Sequence, residues 1–495
     1  MPTETSTLET SSEMDQRSVI TGPCDRWVAA RVGEEPCRLQ PAEKVEHAAM
    51  PRKAYRTKLA GWGRCPVVDG LEIKSEDLEK STENANLCRG LGRSYGDSSL
   101  PAGAEDTVAN TTLADRLLSF DVESGILRAE AGLSLLELNR LLLRRGWFTP
   151  VSPGTQFVTL GGMVASDVHG KNHHVDGCFG QHVRSLKLRT ADGRIIECSD
   201  AHEPELFRAT LGGMGLTGHI LEVEFRMHRI PSPWIWGESE RIPNLDRMIA
   251  GLKEAAGQWP MTVGWVDCLA RGKSLGRGIL MKGRWAESHE APDRPPKLKR
   301  RKRIPFEFPA FALGKASMKA FNLLYYHKHF RRVRRGIERP DAFFYPLDAI
   351  DDWNLIYGRR GFTQYQCVLP HAEDNGPARR FLDAFVCGGG MGFLCVIKDC
   401  GPEGKGMLSF PRPGISIAMD FPVHRRKTQP LVDRLNERVI AEGGRIYLTK
   451  DAFTRPEHFR AMEPRLDAFN AVRRKWDPQG RLRSAQSVRL LGDEK

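Results

Sequence analysis

Two glycine-rich loops about sixty residues apart constrain this chain more than anything else in it. The first is Arg89-Gly90-Leu91-Gly92-Arg93-Ser94-Tyr95-Gly96-Asp97. The second begins at Pro153-Gly154-Thr155 and runs through Gly161-Gly162 to Ser166-Asp167-Val168-His169-Gly170-Lys171-Asn172-His173-His174. Glycines without Cβ atoms leave backbone amides open to a ligand and form a nest for anionic oxygens. One such loop is weak evidence. Two, the second ending in a His/Lys/Asn/His cluster, point to a diphosphate cofactor whose reactive end lies beside titratable side chains.

Gly213-Met-Gly215-Leu-Thr-Gly218 formally matches GxGxxG, but its surroundings are reversed. A dinucleotide fingerprint follows a strand and opens a helix. This one follows the helix-like Pro204–Leu211 and precedes the strand-like His219–Phe225, so a Rossmann reading fails. Short strands are expected at 86–88, 126–130 and 185–190, with a Ser134-Leu-Leu-Glu137 capping box opening a helix over 135–143. Asp192-Gly193 marks a hairpin turn. Later strands are expected at 261–266, 363–368, 393–397 and 415–421, and helices at 378–386, 427–442 and 456–474. Strands and helices mixed without strict βαβ alternation give an α+β fold.

At 495 residues the chain is too long for one ordinary core, so two large lobes are expected. No apolar run approaches the roughly 20 residues that span a bilayer, and no Sec signal core opens the chain; a cytoplasmic protein is expected. Eleven cysteines without a CxxC pair suit a reducing compartment. His169, His173 and His174 lack the carboxylate partners of a zinc site, so no metal is expected. Between Arg294 and Arg335 stand fourteen Lys/Arg against one acid, Glu307, a local +13 that leaves the rest of the chain at about −1 of the net +12. Apolar and aromatic residues interleave with these cations over 297–335, a pattern suited to the surface of an anionic membrane or equally to a solvated loop. No nucleic-acid module surrounds it.

The loops resemble those of the FAD-binding oxidases of the vanillyl-alcohol-oxidase type. Arg89–Asp97 is similar to their pyrophosphate loop, Pro153–Gly170 to their second flavin strand and loop, and Gly212–Gly218 to their third flavin-contacting turn. Within that group the likeness sharpens toward the decaprenylphosphoryl-β-D-ribose oxidases. It is carried by HGKNHH at 169–174, the aromatic-Pro-Leu-Asp segment at 344–348, GFTQYQ at 361–366, DFP at 420–422, YLTKD at 447–451 and Val472–Pro478.

Residues 1–52 read as a disordered or weakly packed tail, and the resemblance implies a PCMH-type two-lobed FAD-binding domain at 53–235. A substrate cap on an antiparallel sheet follows at 236–435 with its basic insertion at 294–335, and 436–495 returns to the FAD domain. It implies FAD contacts from Arg89, Gly90, Leu91, Gly92, Arg93, Ser94, Tyr95, Gly96 and Ser98 in the first loop. From the second it implies Pro153, Gly154, Thr155, Thr159, Gly161, Gly162, Ser166, Asp167, His169, Gly170, Asn172 and His173, joined by Gly215, Ile220 and Tyr447. Relatives that tether flavin through a first-loop His place it where Arg93 stands here, so FAD is expected to be non-covalent.

The implied reaction is oxidation of the 2-hydroxyl of a polyprenyl-phosphate-linked ribose to a keto sugar. A separate short-chain NAD(P)H-dependent reductase then delivers the arabinose epimer. Lys450 and His169 are the candidate catalytic residues; Lys171, Trp265, Phe344, Tyr345, Gln364, Gln366 and Ala418 line the implied sugar pocket. Two positions depart from the family: Ala418 stands where Cys is frequent, and Phe344 where a pocket Tyr is usual. A buried lysine loses charge to desolvation and can act as a base, or can pin the alcohol as a cation. On spacing alone, Lys450 reads as a surface lysine at a strand end; the resemblance is what favours the site. An alditol or sugar-lactone oxidase, and a non-catalytic basic binding protein, are the competing readings.

Overall fold

The computed structural model describes residues 54–297, 300–309, 313–328 and 331–494. The tail at 1–52 and parts of the basic segment lie outside the described residues. Three main sheets carry the fold. The first has strands β1 (Tyr55–Ala60), β2 (Val67–Lys74), β3 (Leu87–Arg89) and β4 (Thr107–Asn110) in the order β1-β2-β4-β3. Of the next seven strands, β5 (Leu117–Asp121), β6 (Ile126–Glu130), β8 (Val183–Arg189), β9 (Ile195–Ser199) and β10 (His219–Arg226) form an antiparallel sheet ordered β5-β6-β10-β8-β9. The other two, β7 (Trp147–Phe148) and β11 (His228–Arg229), pair with each other.

The third sheet is antiparallel throughout. Its strands are β12 (Ile235–Ile242), β13 (Met261–Val266), β14 (Gly278–Trp285), β16 (Val333–Glu338), β18 (Phe362–Leu369), β19 (Cys395–Cys400), β20 (Gly414–Pro422) and β21 (Arg445–Ile446). They run in the order β16-β12-β14-β13-β19-β20-β18-β21. The short β15 (Lys302–Arg303) and β17 (Ile350–Asp351) pair in parallel. Helices Leu245–Ala256, Gly376–Cys387 and Thr428–Ala441 pack on the eight-stranded sheet, which is why β13 and β18 are buried along their whole length. One continuous apolar cluster, from Leu127 and Phe225 through Phe381 to Leu490, joins this sheet to the preceding one.

Local chemistry explains the elements that bear on the site. Ser134 caps helix Leu135–Leu142 by accepting from the Glu137 N–H at 3.2 Å, but Glu137 turns to Arg140 instead of closing a capping box. Gly193, at φ +90°, turns the hairpin between β8 and β9. The run Gly213–Gly218 leaves helix Pro204–Thr210 and enters β10, the reverse of a dinucleotide fold. The helix expected over 456–474 is two, Pro456–Met462 and Leu466–Trp476, because Pro464 between them has no N–H to give.

The segment Tyr447–Asp451 is not the strand its composition suggests. After β21, residues Leu448–Lys450 form a 3₁₀ turn, so strand alternation does not set the direction of Lys450. This turn is bound on several sides. The Tyr447 N–H donates to Gln366 O, the Tyr95 N–H to Thr449 O, and Gln486 Nε2 to Leu448 O, each at 2.9 Å. Arg489 grips Asp97 with two bonds of 2.8 Å and Asp451 at 2.9 Å. Among the described residues no helix is long and apolar enough to cross a membrane.

Candidate active site

A cavity of about 570 Å³ lies between the glycine loops and the eight-stranded sheet. The loop side is backbone. Gly90, Leu91, Gly92, Arg93, Ser94, Tyr95 and Ser98 line it after β3, with Pro153, Gly154, Thr155, Thr159, Gly161, Gly162 and Ser166 opposite. Gly215 (φ +79°) and Ile220 complete this wall. At Gly90 a Cβ would run into Thr159 Oγ1, the hydroxyl that also accepts from the Gly162 N–H, so the loops pack too closely for any other residue. At Gly154 and Gly215 a Cβ would meet nothing within 4 Å, leaving room for a ligand against bare backbone. Arg93 lies over the rings of Trp62 and Phe157, at 3.9 and 4.9 Å from their centroids, and its buried Nε has no hydrogen-bond partner. An unpartnered buried guanidinium nitrogen awaits an acceptor.

Six residues expected in the pocket do not line it. Arg89 braces the first loop from beneath, donating to Ala60 O at 2.6 Å and Ser99 O at 3.2 Å under Gly92. Gly96 faces Asp451 O, where a Cβ would collide. Asp167 is fully buried and accepts from the Gly180 N–H at 2.8 Å and from Ser409. Asn172 ties its loop together by donating to Pro150 O at 2.7 Å. His173 accepts from the Gly401 N–H at 3.0 Å. The Tyr345 hydroxyl is held by Ser152 at 2.5 Å and Asn139 at 3.2 Å, behind Phe344, which does line the cavity. These residues support the lining from behind.

The sheet side is made of side chains. Gln364 and Gln366 on β18 point to one face, with Ala418 on β20 and Val396 on β19 in register beside Gln366, then Trp265 on β13. Trp265 fixes its ring by donating from Nε1 to Phe393 O at 3.1 Å. Three lysines converge here. Lys171 donates to Phe344 O at 3.0 Å; Lys398 lies 2.7 Å from His169 Nδ1 and 3.3 Å from Gly170 O; Lys450 Nζ sits 4.0 Å over the Tyr95 ring. Lys398 was not among the sequence candidates. Its signal was a lysine on an otherwise apolar alternation, Cys395-Val-Ile-Lys398.

Burial sets the charges. It lowers Lys171 to about 7 and Lys398 to about 8. Lys450 is lowered by burial, opposed by the nearby Asp420 carboxylate, while burial raises Asp420, which accepts from Gln364. Burial and the charge of Lys398 hold His169 well below its ordinary value, so the ring is neutral. With Lys398 donating to Nδ1, the ring proton resides on Nε2, which faces the Gln366 amide at 3.1 Å and donates to it once its oxygen is turned that way. The Tyr447 hydroxyl, raised by burial, donates to Ser166 O at 2.9 Å and stays protonated.

Residues 80–199 match the FAD binding domain family. Over 455 residues the chain is 34% identical to decaprenylphosphoryl-beta-D-ribose oxidase of Mycolicibacterium smegmatis, covering 88% of this chain and 97% of that protein. It belongs to the decaprenylphosphoryl-β-D-ribose oxidase family. An uncharacterised Streptomyces coelicolor protein is 33% identical over 375 residues, 72% of this chain and 100% of that one. L-gulonolactone oxidase of Bos taurus is 34% identical over 111 residues, 22% of this chain and 24% of its own.

The chain is therefore an FAD-dependent oxidoreductase acting on a CH–OH group, which sets aside the non-catalytic reading. Its residues fit FAD: the glycine cradle of the first two loops and the orphaned Arg93 Nε suit an anionic diphosphate cofactor. Bound there, FAD supplies the hydride acceptor. The side chains must then hold an alcohol and remove its proton. Lys450, whose ammonium is disfavoured by burial, lines the cavity together with Gln364 and Gln366.

Proposed function

We propose that this oxidoreductase oxidises the 2-hydroxyl of a polyprenyl-phosphoryl-β-D-ribose to the 2-keto sugar. When bound, FAD would supply the acceptor for the C2 hydride, and the unprotonated amine of Lys450 would take the hydroxyl proton. The carrying observation is that three buried lysines line one cavity, with Lys398 close enough to act on the charges of the other two. A free polyol gives one lysine a task; a phosphodiester-linked sugar gives all three one, since Lys171 and Lys398 can share the phosphate charge. The family relationship supports the same substrate class. The product is a keto sugar needing reduction to the arabinose form for cell-envelope glycans, the task of a separate short-chain NAD(P)H-dependent reductase.

The lipid places the enzyme peripherally on the inner face of a membrane in this reading. Support comes from helix Lys315–His327, which exposes Phe321, Leu323 and Leu324 beside Lys315 and Lys319. Removing 297–335 whole would cut Val333–Arg335 out of the sheet, so Phe321→Ser/Leu324→Ser is the cleaner variant. It should lose co-sedimentation with anionic liposomes; unchanged sedimentation overturns the membrane reading.

The substrate test is the visible spectrum of the purified flavoprotein, recorded anaerobically. A polyprenyl-phosphoryl ribose should bleach the flavin bands. Bands that persist with it but bleach with an alditol or a 1,4-lactone would move the activity to those substrates.

A further inference from the structure

The cavity continues along the sheet well past the lysine cluster. Val263 on β13, Met281 on β14, Ser239 on β12 and Arg334 on β16 are successive register partners, and all four line it. Val396 and Trp265 flank this row, and Tyr325, Phe343 and Phe344 also line the cavity. Four strand spacings separate β19, which carries Lys398, from β16, about 19 Å at roughly 4.8 Å each. A ribose and its phosphate use only the first few ångströms of that length.

The far end is an exit. The Trp265 ring meets Tyr325 at 4.5 Å, and Tyr325 stacks on Phe321 at 5.9 Å, whose side chain is 45% exposed. Leu324 beside it is 72% exposed. Aromatic surface thus runs unbroken from the cavity to the outside. At the same end the polar residues resume. Glu238 is taken by Lys282 and by Arg335 at 2.5 Å. Lys328 sits 3.7 Å over Tyr325, and Arg334 is exposed; neither forms a salt bridge among the described residues, though Glu338 lies near both.

We propose that the lobe over Val396, Trp265, Val263 and Met281 holds the first isoprene units of the substrate's lipid tail. The tail leaves between Tyr325 and Arg334. This assignment rests on the lipid-linked substrate proposed for the site. The phosphate stays at Lys171 and Lys398, because it is bonded to the sugar carbon next to the one oxidised. The prenyl units beyond it meet an apolar floor of finite length, so tail length is read only up to the cationic rim.

The test uses the FAD-loaded full chain and synthetic phosphoryl-riboses bearing methyl, geranyl, farnesyl and longer prenyl tails, scored by kcat/KM for anaerobic flavin reduction. Wild type should gain about tenfold or more per buried unit and then level off. Val263→Lys should lower the farnesyl-to-methyl ratio of kcat/KM at least about tenfold. Tyr325→Ala, on an exposed helix, should lower it less, and bound flavin and the melting temperature check folding in both. A wild type indifferent to tail length, or variants that keep the ratio, overturn the lobe assignment. A wild type reduced by none of these compounds overturns the substrate reading itself, and the lobe with it.

Discussion

The two walls of the cavity recognise by different means. On the flavin side, Gly90, Gly92, Gly154 and Gly215 present bare backbone from loops that cross within contact of one another. On the cap side, Gln364, Gln366, Lys398 and Trp265 present side chains from strands whose register fixes their spacing. Where the loops cross at Gly90 the backbone wall admits no added atom, and its polarity is the same for any sequence that can fold it. A side-chain wall can change its ligand by single substitutions without moving a strand.

The difference predicts all-or-none effects on one side and graded ones on the other. Gly90→Val should give the largest effect: the added atoms displace Thr159, and purified protein should carry less than about a tenth of the flavin of wild type by absorbance. Lys450→Met should keep its flavin yet slow substrate-driven reduction about 10²–10⁴-fold in stopped flow. Normal reduction would remove Lys450 from the chemistry.

Lys398→Met should raise KM for the phosphoryl sugar by roughly tenfold or more with flavin content unchanged. In wild type the Lys398 charge disappears as pH rises through about 8, so KM should climb there. The variant should lose the limb near 8 and keep only the one near 7 that Lys171 gives; an unchanged limb near 8 would take Lys398 off the phosphate.

The smallest effect concerns stability behind the flavin wall. Burial lowers His219 to about 4, and its Nε2 lies 3.1 Å from Ala85 O. Below about pH 6.5 the unfolded chain takes up this proton and the folded one does not, so stability falls with falling pH, by about 1.4 kcal/mol per unit at most. His219→Gln should flatten the slope of melting temperature against pH between 6.5 and 5.

The same contrast explains why one wall was legible in sequence and the other only in part. Glycine loops are contiguous, so Arg89–Asp97 and Pro153–Gly170 announce themselves. Adjacency does not give orientation, however: Asp167 and His169 are two residues apart, yet one is bonded to Ser409 behind the wall and the other lies in it. The cap strands were legible from their apolar runs, and Gln364 with Gln366 from their period of two. Lys398 was not, because its partner His169 is 229 residues away. The 3₁₀ turn that aims Lys450 is imposed by Tyr95, Gln366 and Gln486, and no local pattern near 447–451 encodes it.

The grip of Arg489 on Asp97 joins residues 392 positions apart, across the very turn that carries Lys450. Closing a span of that length costs loop entropy, which the two 2.8 Å bonds to Asp97 and the ion pair to Asp451 help to offset. The direction of one lysine is thus held by parts of the chain that lie far from it in sequence, and a cut anywhere in that span should loosen it.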